Sequence, residues 1–141
     1  MTSDAIVFEG LGFFLYRSTA RDGLSAGDLD NIRTVARQRN GACDLSGCLH
    51  HEGGLFFQWL EGPQTQLRAV VDSILQDSRH RDITVLDEGP LTHRRFQHWR
   101  MRFSDRDQAS LLDWFAQSRA STVDPHDYAG GVAAFLQAVS V

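Results

Sequence analysis

If residues 55–61, LFFQWLE, form a β-strand, both faces of that strand are apolar, and this limits the fold more than any other feature. Side chains alternate along a strand, so Phe56, Gln58 and Leu60 share one face while Leu55, Phe57 and Trp59 share the other. Such a strand belongs inside a sheet covered on both sides. A chain of 141 residues can do this within one domain. At that length roughly 70% of the extended surface is buried without a metal or disulfide staple.

The neighbouring segments supply a sheet and one of its covers. Leu11 to Leu15, extended through Tyr16 and Ser18, reads as a strand. Ser25 is a candidate N-cap with Asp28 at N3, and Leu24 and Leu29 occupy the hydrophobic-staple positions. The helix they open should run to about Arg39, with Leu29, Ile32, Val35 and Ala36 facing inward. Asn40-Gly41 should end it. Strands over about 45–51 and 54–60 meet at the tight Glu52-Gly53-Gly54 turn. Gly62-Pro63 opens a second helix, whose packed face carries Leu67, Val70, Val71, Ile74 and Leu75. Asp82 to Leu86 is a short β-type run. Gln97 to Phe103 alternates, with Trp99, Met101 and Phe103 on one side and His98, Arg100 and Arg102 on the other.

This order predicts an α+β, ferredoxin-like βαββαβ fold with an additional strand. Two helices cover one face of its sheet. Residues 105–141 offer cover for the other: one helix with Leu111, Leu112 and Phe115, and one with Tyr128, Val132, Phe135, Leu136 and Val139. A dimer partner is the other candidate cover.

Composition excludes several functions. All fourteen basic residues are arginine, so lysine Schiff bases, lysine-bound pyridoxal phosphate and a phosphate-loop lysine are ruled out. A net charge of -4 without a dense basic cluster argues against nucleic acid as a partner. No apolar run approaches membrane-spanning length, and the first residues do not resemble a secretory leader. Cys43 and Cys48 lack CxxC spacing and read as reduced thiols of a cytoplasmic protein. His50 and His51 point to opposite faces of their strand, while His80, His93, His98 and His126 are scattered. No metal site is expected.

Gln58 is the first chemical oddity. A buried amide without partners costs about 1–3 kcal/mol, so its two ends serve either neighbouring backbone or a ligand. Taken singly, Tyr16 reads as a core tyrosine, Asn40 as a helix stop, and Trp99 and Met101 as sheet core.

Taken together they resemble a known family. YRSTA, RNGACDLSGCL, EGGLFFQWLEGP, QDSRHRDITVL and RRFQHWRM occur in series across residues 11–103. The run FxQxLEGP, then D.RH, then RRF..W.M resembles the BLUF family of blue-light sensors using flavin adenine dinucleotide. The resemblance implies FAD as cofactor, Tyr16 as the light-active tyrosine and Gln58 as the switching glutamine. It implies that Asn40 bonds the polar edge of the flavin, and that Arg79 and His80 lie near the pyrimidine end. Ile32, Leu49, Phe56 and Ile74 match apolar positions lining the flavin, and Trp99 and Met101 match a strand pair that exchanges places in signalling. Arg39 stands where the family often has a histidine beside the flavin. His50-His51 stands where it usually has an apolar residue and a tyrosine.

The expectation is therefore a photoreceptor without enzymatic turnover. Residues 10–103 form the sensor and 104–141 a helical cap or output extension, signalling to a protein partner or through its own oligomer. Two alternatives fit the residues less well. An acylphosphatase-like enzyme needs an anion cradle after the first strand, and TARDGLS lacks one. A flavin-free binding module would not need the tyrosine, glutamine, asparagine and Trp/Met set together.

Overall fold

The computed structural model describes residues 10–78, 80–96, 101–118 and 122–139. Strands β1 (Leu11–Ala20), β2 (Ser46–Glu52), β3 (Leu55–Pro63), β4 (His80–Leu91) and β5 (Arg102–Asp105) form one sheet. Their order is β4-β1-β3-β2-β5. Every pairing is antiparallel except β2–β5. Helices α1 (Ala26–Ala42) and α2 (Gln64–Leu75) cover the front face, while α3 (Leu111–Ser118) and α4 (Pro125–Val139) pack on the back. This is the expected ferredoxin-like arrangement with one added strand, and β3 is its central strand.

The two faces of β3 part into two cores. Phe56 and Leu60 join Phe14, Tyr16, Leu49, Val70, Ile74 and Met101 in front. Phe57 and Trp59 join Leu15, Cys48, Phe96, Leu111, Val132, Phe135 and Leu136 behind. Full burial of a large side chain contributes about 1.5–3 kcal/mol, so the back cover is a substantial part of what makes a double-faced strand stable. Close packing of β2 on β3 depends on Gly47. A Cβ there would lie 2.0 Å from the Trp59 carbonyl oxygen, a contact that no side chain tolerates. The hairpin turn places Gly53 and Gly54 at φ 59° and 77°, where glycine carries no Cβ penalty.

Several boundaries differ from the sequence reading. Helix α1 carries the expected Ser25–Asp28 capping box but runs through Asn40-Gly41 to Ala42. Asn40 is fully buried, and tertiary packing overrides its preference for a helix end. The chain turns instead at Cys43 and at Asp44, whose φ is 55°. Pro63 is the N-cap of α2 rather than part of its first turn. Strand β4 is far longer than Asp82–Leu86, and register shifts beside Tyr16 and between Arg17 and Thr19 let it continue. The run Gln97–Phe103 is described only from Met101, and its strand spans Arg102–Asp105. Leu75 and Leu112 are exposed, so helical periodicity drew the apolar stripes too wide at these positions, whereas Val35, also exposed, faces inward as expected and lines the cleft beside Ile32 and Ala36.

The LEGP and RRF segments meet at a buried carboxylate. Glu61 is inaccessible to solvent. It accepts hydrogen bonds from Ser46 Oγ (2.8 Å), Trp59 Nε1 (3.0 Å) and the backbone N–H groups of Arg95 (2.7 Å) and Phe96 (2.8 Å). Arg94 reinforces the knot by donating to Ser46 Oγ and to the Asp44 carbonyl. The loop that leads toward β5 is therefore pinned to the end of β3.

Candidate functional site

Between α1, α2 and the front of the sheet lies a cleft. Its floor is Tyr16 from β1, Leu49 from β2, and Phe56 and Gln58 from β3. Ile32 and Ala36 of α1 and Ile74 of α2 form aliphatic walls. Arg39, Asp77 and His80 add polar groups. An apolar slot with a few convergent donors and acceptors suits a flat heteroaromatic ring with a polar edge.

Sheet register creates the central contact. Tyr16 is the cross-strand partner of Gln58, and Leu49 is its partner on the other side. The Tyr16 hydroxyl donates to Gln58 Oε1, and both residues are buried. Gln58 Nε2 lies 3.8 Å from the Met101 sulfur, a weak acceptor. Burial pushes the Tyr16 pKa well above that of an ordinary phenol. Nearby Arg39 partly opposes this and Asp77 adds to it. Tyr16 is therefore a neutral hydrogen-bond donor throughout the physiological range.

His80 is fixed by two bonds. Its Nε2 is 2.8 Å from the Ile74 carbonyl, which can only accept, so the proton sits on Nε2. In the neutral ring, Nδ1 then accepts from the Ser18 hydroxyl at 2.7 Å. This holds the imidazole edge-on to Tyr16 and Phe56. Val35, Ala36 and Asp77, which line the cleft, and Ser18, which holds His80, are the residues that sequence reasoning did not assign to the site. Ser18 lies two residues beyond Tyr16 on the same strand face, which was the available signal.

Of the expected residues, Tyr16, Ile32, Arg39, Leu49, Phe56, Gln58, Ile74 and His80 line this one cleft. Asn40 does not line it. It is buried near the end of α1, where its Oδ1 accepts from Arg39 Nε at 3.3 Å. Arg79 and Trp99 lie outside the described residues. His50 and His51 take opposite faces, as strand alternation requires. His50 lies against Phe135 in the back core and His51 against Phe56 in front. Partial burial, with His50 adjacent, lowers the His51 pKa.

Residues 11–102 match the family model of BLUF, sensors of blue-light using FAD. The chain belongs to the BLUF family. It is a blue-light sensor of the flavin-binding class, and the cofactor of that class is FAD. The chain is 38% identical over 72 residues to the blue light- and temperature-regulated antirepressor BluF of Escherichia coli. It is 39% identical over 79 residues to the photoactivated adenylate cyclase subunit beta of Euglena gracilis. These matches cover 51% and 56% of this chain but only 18% and 9% of the relatives, so the chain spans a small fraction of the length of the curated relatives it matches. Among solved structures, the BLUF protein BlrB in its dark state is similar over 91% of this chain and 98% of its own. The TM-score is 0.73 and the identity 30%. Among the described residues, no helix is long and apolar enough to cross a membrane.

Proposed function

We propose that Tyr16 and Gln58 are the light switch of this BLUF sensor, and that Met101 is the first group to respond. One observation carries the reading: a single buried amide receives the Tyr16 hydroxyl at one end and faces the Met101 sulfur with the other. A bound flavin, when photoexcited, would supply a strong oxidant at the cleft. Tyr16 would give up an electron to it, and its proton would move along the hydrogen bond toward Gln58 Oε1. Burial keeps the phenol protonated in the dark, so this donor is always ready. Rotation or tautomerisation of the Gln58 amide exchanges its acceptor and donor ends. When electron and proton return to Tyr16, the altered amide pattern remains and Met101 faces a different group.

Ile32, Leu49, Phe56 and Ile74 would hold the ring of the cofactor, with Arg39 and His80 at its polar edge; Asn40, beside Arg39 at the end of α1, and Arg79 are assigned to that edge by the family resemblance alone. Met101 faces the amide, and the family resemblance pairs it with Trp99. Residues 10–103 act as the sensor and 104–141 as cap and output, without turnover of their own. The sensor works in the cytoplasm and signals to a protein partner or to a second copy of the chain. The burial of α3 and α4 against the back of the strands that carry Tyr16 and Gln58 supports this assignment.

Gln58→Leu tests the switch. Leucine preserves bulk but presents neither amide end, so the variant should bind flavin and show no reversible red shift under blue light. A shift of wild-type size would remove the glutamine from the mechanism.

A further inference from the structure

A front-face event must cross the sheet to reach helices packed behind it. The back core contains a polar chain placed to carry it. His50, Glu52 and Ser104 are all buried there. His50 Nδ1 is 2.8 Å from Ser104 Oγ on β5, and His50 Nε2 is 2.8 Å from Glu52 Oε1. The carboxylate then receives the first turn of α3: Leu111 N–H at 2.7 Å, the Ser110 hydroxyl at 3.0 Å and Leu112 N–H at 3.4 Å. Burial alone would raise the Glu52 pKa. The hydrogen bonds from His50, Leu111, Ser110 and Leu112 outweigh it and hold the group below the ordinary carboxylate range.

The chemistry gives this chain a direction. A carboxylate only accepts, so His50 Nε2 carries a proton, and Nδ1 on the other side of the ring bonds the Ser104 hydroxyl. Ser104 belongs to β5, a four-residue strand that begins directly after Met101 and pairs with β2. The segment between β5 and α3 is only residues 106–110. His50 and Glu52 therefore grip both ends of one short connection, from the same face of β2.

We propose that the His50–Glu52 pair is the junction through which a change at Met101 alters α3. Displacement of β5 breaks the Ser104–His50 bond, frees the imidazole to turn, and loosens the carboxylate that caps the helix. A cap carboxylate satisfies backbone N–H groups that have no intrahelical partner, so its loss frays the first turn. This inference rests on the Tyr16–Gln58 reading and deepens it, naming the regulated contact.

Hydrogen exchange of the flavin-loaded full chain, dark against illuminated, tests it. Peptides covering 110–114 should exchange roughly tenfold faster in the light, while α2 stays unchanged. His50→Leu should keep the red shift, exchange fast in the dark at 110–114, and show no further light effect. His50→Gln, which again offers an acceptor and a donor, should restore part of the difference. If His50→Leu fails to fold, Ser104→Ala cuts the β5 end alone and should likewise erase the light difference. A normal red shift with unchanged exchange at 110–114 in the wild type would overturn the proposal while leaving the switch intact. A light difference persisting in both His50→Leu and Ser104→Ala would overturn it too. A wild type without any red shift would instead contradict the Tyr16–Gln58 reading, and the proposal with it.

Discussion

Tyr16→Phe should retain flavin and lose the reversible red shift. The ring of Tyr16 packs in the front core with Phe14 and His80, and phenylalanine reproduces that packing. What disappears is the O–H donor to Gln58 Oε1. Without it there is no proton to accompany an electron, and the buried amide loses its strongest partner. An unsatisfied buried acceptor costs about 1–3 kcal/mol, so the variant should also melt lower. The dark spectrum should shift slightly even so, because Gln58 is no longer held in one orientation. Full photoconversion in Tyr16→Phe, measured by difference absorption, would exclude this residue as the donor.

The second large effect lies away from the cleft. Glu61→Leu should be severely destabilised or fail to fold. Leucine is shorter by one atom and accepts nothing, leaving the Trp59 and Ser46 donors and the Arg95 and Phe96 N–H groups without their acceptor. Breaking a buried charged network by deleting one partner costs about 3–5 kcal/mol. A typical domain has about 5–15 kcal/mol in total. Glu61→Gln keeps one acceptor oxygen but turns an N–H₂ group toward two of the donors, so it should fall between Leu and wild type. Denaturant titration orders the three proteins. Wild-type stability in Glu61→Leu would mean that the Arg94–Phe96 segment is held by packing alone.

These two residues also mark what was legible in the sequence. Gln58 stands out as an amide on an apolar strand face, whereas Tyr16 alone reads as a core tyrosine and gains its role only through the resemblance to the BLUF family; their pairing across β1 and β3 follows once the strands are in register. The need for a second cover was equally plain from Phe57 and Trp59, and α3 and α4 provide it. Glu61 gave no comparable signal. Its partners lie 15, 2, 34 and 35 residues away, so the knot exists only after the chain has folded. The same holds for the Ser104–His50–Glu52 chain: alternation put His50 and His51 on opposite faces, but nothing local named the back face for His50, nor Ser104 or the start of α3. Asn40 misled in the opposite sense. Its local preference for a helix end was real, and burial at the end of α1 outweighed it.

The most direct test of the central claim is the absorption spectrum of the purified protein before and after blue light. A flavin spectrum that moves reversibly to longer wavelength without bleaching is the predicted result, because only hydrogen bonding around the ring changes. Bleaching of the flavin band, or an unchanged spectrum in a fully flavin-loaded protein, would contradict a Tyr16–Gln58 switch.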